Sequence, residues 1–190
     1  MTVTEELRSS LARRISAMHR LWERGVADLT PEQVNHVERG GVLPIAFTLI
    51  HCVQGEDENG HGLLGAGPEL WTAHAERIGW TDALPKRGTP MAEAERVRVR
   101  DMGAWRAYQA AVFARTETAL ARAPLDRLAE PLFDGPPPAS MRGGFLILLT
   151  GEQGPVRVVD ALEAWVYQHG VRHLGELEHA RGLVGLGGLS

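Results

Sequence analysis

The stretch Tyr167–Leu183, YQHGVRHLGELEHARGL, decides how this chain folds. His169, His173, Leu177 and Ala180 continue a stripe that begins at Val158, Leu162 and Val166, at spacings of three and four residues. That period predicts one amphipathic helix over 155–182, opened by Gly154-Pro155 and ended by Gly182 and a glycine-rich tail. Two imidazoles stand where the stripe calls for apolar side chains. Residues at i and i+4 share a helix face and lie about 6 Å apart along the axis, so one ion can take both.

Moving outward, a third histidine, His51, ends the apolar run GVLPIAFTLIHCV (41–53). This run predicts a helix over 42–60, with Pro44 tolerated only in its first turn, after Gly40 and Gly41. It turns polar from His51 onward, as a helix does when it passes from a core to a site. At the start of the chain, Leu7, Leu11, Ile15, Met18, Leu21 and Trp22 predict a helix over 4–27 with Thr4 as N-cap. Pro31 opens a short turn through Val34. Thr89-Pro90 predicts the start of a long helix over 90–122, with ERVRVR (95–100) as a solvated face. Between these lie two long connections, 61–90 and 125–154. The first carries a short helix near Glu69–Arg77, and the second holds FLILL (145–149), whose periodicity does not separate strand, helix and oligomer contact. The pattern predicts an all-α, four-helix bundle with long inter-helix connections, occupying 1–190 as one domain.

Composition narrows the functions. A net charge of −4 lacks the concentrated basic face that nucleic acid requires. No apolar run approaches the roughly 20 residues of a membrane span, and the charged start has no signal-like apolar stretch, which predicts a cytoplasmic protein. One cysteine, Cys52, excludes an intramolecular disulfide and a cysteine-based metal centre; it is expected to be buried and inert.

On the residues alone, two readings of His51, His169 and His173 stay open. Either they are hydrogen-bonded core imidazoles, or they share a divalent metal with a coordination position left over, the arrangement of a catalytic site. Imidazole nitrogens suit zinc first, with nickel and iron as alternatives. Glu58, two helical turns beyond His51, is the candidate catalytic acid or base, weighed against a solvated carboxylate in the polar run EDEN. Gln54 and Asp57 carry the same two readings.

The order LTPEQVNH, an apolar helix ending in His51, and a final helix carrying HGVRHLGELEHARG resembles the DinB/YfiT-like superfamily over most of the chain. The resemblance implies a four-helix bundle, often a homodimer, that binds a divalent metal through residues matching His51, His169 and His173. It further implies a thiol-dependent S-transferase or isomerase in which a low-molecular-weight thiol, such as mycothiol or bacillithiol, attacks a small electrophile. The arginine-, alanine- and glycine-rich composition, with Lys86 as its single lysine, is common in GC-rich genomes and favours mycothiol. Two other readings stay open: hydrolysis by metal-bound water, and a stress-associated bundle without catalysis.

Overall fold

The computed structural model describes residues 2–38, 41–82, 84, 86, 88–141 and 144–189, excluding the side chains of residues 3 and 4. Among them the ordered elements are helical. Four long segments carry the architecture: α1 (Val3–Ala27), α3 (Ile45–Leu64), α6 (Met102–Arg122), and a last helix. That last helix runs as α9 (Val158–Leu162), a π-helical stretch (Glu163–Gln168) and α10 (His169–Leu183). Shorter helices lie between them: α2 (Pro31–Val34), α4 (Trp71–Ile78), α5 (Met91–Ala94), α7 (Leu125–Ala129) and α8 (Phe145–Thr150). α1 packs on α6 and α10, and α3 packs on the same two partners. Trp22, Leu49, Ile50, Trp105, Tyr108 and Leu177 are buried between them.

Local chemistry sets the element ends. Thr2, not Thr4, caps α1: its hydroxyl accepts from Glu5 N–H while Glu5 reaches back to the Thr2 N–H. α3 starts after Pro44 and continues a turn further than the sequence pattern implied, to Leu64, where Gly65 adopts the left-handed conformation (φ 60°) that closes a helix. The expected break at Gly40 lies outside the described residues.

The expected helix over 90–122 is instead two helices separated by an extended segment. Val97 and Val99 face the core while Arg96, Arg98 and Arg100 alternate outward, a period of two in place of the period of a helix. The backbone of Val99 is held by the Asn35 amide, which donates to its carbonyl (2.7 Å) and accepts its N–H (2.9 Å). Asp101 then caps α6 by accepting from Ala104 N–H. The FLILL run is helical, with Leu146 and Ile147 buried and Leu148 exposed.

Two braces place α10. Arg181, buried near its C-terminus, donates to the Gly25 carbonyl (2.7 Å) and to both oxygens of Asp28 (2.6 and 3.0 Å) at the end of α1. Gly170 lies against Met18, whose sulfur would meet an added Cβ at 2.1 Å, and its carbonyl accepts from Trp22 Nε1 (3.1 Å). A side chain at 170 would have to displace the Met18 thioether, which lies against α10 directly beside His169.

Candidate metal centre

His51 projects from the middle of α3, and His169 and His173 project from the first turn and a half of α10. Because α3 packs along α10, the three rings converge. The Nε2 atoms of His169 and His51 are 3.3 Å apart, and those of His173 and His169 are 3.1 Å apart. One ring nitrogen from each lies within 4.8 Å of the others, and among the described residues no other such group of histidine, cysteine or carboxylate ligands occurs. Nitrogens about 2.0–2.1 Å from a tetrahedral zinc are about 3.3 Å from one another, so these spacings fit a common ion.

The electrostatics at His169 fits as well. Burial, then the neighbouring charges of His173, His51 and Arg172, push the His169 imidazole down to about 3 from the ordinary 6.5, so it is neutral at physiological pH. Glu176 Oε2 accepts from His173 Nδ1 at 2.7 Å, which orients the ring with Nε2 facing the other two. That same hydrogen bond, opposed by burial and aided by the His173 charge, lowers the Glu176 carboxyl below its usual range. His51 is stacked on Phe47, one turn earlier on α3, at 5.6 Å between ring centres.

The histidines open into a cleft of about 430 Å³. Leu43, Phe47 and Phe145 form its apolar side, and Lys86 and Arg172 bring two cations to it. Helix α8 and the segment around Thr89, both within the long connections, thus supply part of the wall.

Not every candidate reaches this cleft. Glu58 is exposed on α3 and is absent from the cleft wall. Seven residues return to the same helix face, but two turns displace it about 10 Å along the axis. Glu176, three residues after His173, is the carboxylate that the fold places at the site. Its signal was the H-x-x-E spacing itself, since i and i+3 are neighbours on a helix surface.

Asp57 is fully buried rather than solvated. It accepts from the N–H groups of Leu70 and Trp71 (both 2.9 Å), from the Tyr108 hydroxyl (3.0 Å), and from Arg115. It anchors the connection into α4 and stands apart from the cleft. Burial and the Asp57 charge raise the Tyr108 phenol well above its ordinary value. Cys52 is buried, and burial followed by Glu56 and Glu176 raises its thiol, which leaves it unreactive.

The sequence pattern also passed over His19. It is buried in α1 and stacked on Phe113, and its Nδ1 and Nε2 meet Glu117 (2.8 Å) and Glu56 (3.2 Å). Burial opposes its protonation, but the two carboxylates outweigh burial and raise its pKa above the ordinary 6.5.

Comparison with known proteins agrees with this architecture. The profile of the DinB superfamily matches residues 14–177. A conserved protein of Enterococcus faecalis, known from its crystal structure, superposes with a TM-score of 0.71 at 19% identity, covering 97% of this chain and 98% of that one. At that identity the likeness concerns the fold. No protein with a curated description matches the sequence.

Proposed function

The chain belongs to the DinB superfamily, and we propose that residues 1–190 form one four-helix-bundle domain of that kind, in which His51, His169 and His173 hold a divalent metal, zinc first. The activity we assign is thiol-dependent: transfer of a low-molecular-weight thiol such as mycothiol to a small electrophile, or an isomerisation that uses such a thiol. When bound, the metal would lower the pKa of a thiol at the open position and present it as a thiolate nucleophile.

The convergence of three Nε2 atoms carries this reading, with one ring oriented by Glu176 and one kept neutral by burial. The chain's own groups do the preparatory work. His169 needs no deprotonation before binding, which removes the pH penalty of metal uptake at that ligand. Glu176 orients His173, and Leu43, Phe47 and Phe145 give the cleft an apolar side.

The test is metal content per chain in the wild type and in His173→Ala, followed by turnover of a model electrophile with and without mycothiol. About one metal per chain, lost in the variant, with turnover only when thiol is present, is the expected result. Equal metal content in both proteins overturns the site. Turnover without thiol transfers the assignment to hydrolysis.

A further inference from the structure

The cleft beside the histidines is cationic in a protein whose net charge is −4. Its charged side chains, the histidines aside, are Lys86, Arg172 and Glu176. Glu176 already serves His173 through its hydrogen bond and feels the charge of Arg172. Among the described residues, neither the Lys86 ammonium nor the Arg172 guanidinium makes a hydrogen bond or an ion pair. Lys86 is the only lysine in a chain with 20 basic residues, and its backbone is tied back by Thr89, whose hydroxyl accepts from Lys86 N–H (3.0 Å) and donates to Lys86 C=O (2.8 Å). The opposite side, Leu43, Phe47 and Phe145, is apolar.

A cleft with one greasy wall and two cations that make no hydrogen bond or ion pair among the described residues is complementary to a molecule with an apolar body and an anionic end. We infer that the ligand recognised here carries a carboxylate or a similar anion, received by Lys86 and Arg172, on an apolar or aromatic body lying against Phe47 and Phe145. The inference rests on the metal reading above, because it supposes that the reacting end of the small electrophile faces the three histidines, with an aromatic thiol as its probe. Arg172 has a fixed origin on α10 one residue before His173, so the anion would be gripped a few ångströms from the reacting end. Arginine can engage a carboxylate with two parallel hydrogen bonds, whereas lysine contributes a point charge.

The test uses the zinc-loaded protein and two isosteric thiols, 4-mercaptobenzoate and 4-mercaptobenzamide, with affinities measured by calorimetry. The para geometry prevents both ends of the probe from reaching one metal. The expected outcome is roughly tenfold tighter binding of the carboxylate, a few-fold for each exposed cation. The preference should disappear in the double variant Lys86→Gln/Arg172→Gln with zinc content unchanged.

A second measurement needs no variant. Raising the salt from about 0.02 M to 0.5 M should erode the carboxylate's advantage and leave the amide's affinity alone, since exposed charges are screened over a shorter length. Equal affinity for the two thiols in zinc-loaded wild type overturns the inference and leaves the metal site standing. A preference that persists in the double variant also overturns it. A wild-type protein that takes up no zinc overturns the metal reading, and this one with it.

Discussion

Replacing Glu176 isolates what positioning contributes to the proposed metal centre. Its Oε2 lies 2.7 Å from His173 Nδ1, and the pair is unevenly exposed, 13% for the His173 side chain and 48% for Glu176. Glu176→Gln keeps an oxygen that can accept from Nδ1–H but removes the charge. The difference between a charged and a neutral hydrogen bond is about 1 kcal/mol, or about fivefold in affinity. Glu176→Ala removes the acceptor altogether. Loss of such an orienting partner generally weakens metal binding by about 10- to 100-fold, and water can replace a half-exposed carboxylate, which places this site near tenfold. The expected order of zinc affinity is therefore wild type, then Gln, then Ala, with steps of a few-fold. Competition against a chromophoric chelator at neutral pH reads this directly, with thermal melting of the metal-free proteins as the control for folding. An alanine variant within twofold of wild type would refute the positioning role. A glutamine variant as weak as His173→Ala would mean that Glu176 is itself a ligand, which refutes it equally.

Asp57→Ala should act on stability and not on the metal. Truncation strands two backbone N–H groups, the Tyr108 hydroxyl and Arg115 around a fully buried position, for a loss of about 3–5 kcal/mol. At about 2–4 °C per kcal/mol for a chain of this size, the melting temperature should fall by roughly 10 °C; a drop below about 3 °C would contradict the account. His19 supplies a pH-dependent contribution. Its folded pKa is raised above 6.5, so its stabilisation is full below that value and disappears as pH rises through the raised pKa. Urea midpoints of wild type and His19→Gln, measured in chelator from pH 6 to 9, should converge as pH increases, and a gap that stays constant would exclude the mechanism.

Much of the fold was written locally. The period of 3.6 over Leu11–Trp22 and Val158–Ala180 needed no tertiary information, because an amphipathic stripe is a property of consecutive residues, although Leu7, expected on the first stripe, is exposed. The same reasoning marked His51, His169 and His173 as departures from apolar stripes. The period failed where two patterns compete in few residues. RVRVR alternates with a period of two next to a strongly helical stretch, and the Asn35 side chain, 64 residues away from Val99, holds it extended. The π-helical turn before His169 gave no compositional signal, although Arg14 of α1 marks it by bonding Glu163 (2.9 Å) and lying over the Tyr167 ring (4.7 Å).

The residues that carry the family likeness divide in the same way. Three histidines converge, while Asn35 and Arg181 are braces whose partners lie 64 and 153 residues away in sequence. By itself, the sequence determined that the chain would be helical, most of the buried helix faces outside 95–100, and that His51, His169 and His173 would interrupt apolar stripes, since each follows from residue order over one or two turns. Only the tertiary structure decided that His51 meets the other two and that Lys86 shares their cleft. Those are distances between segments far apart in sequence, set by how α3 packs along α10 and how Arg181 and Gly170 seat α10 on α1, and no local pattern records them.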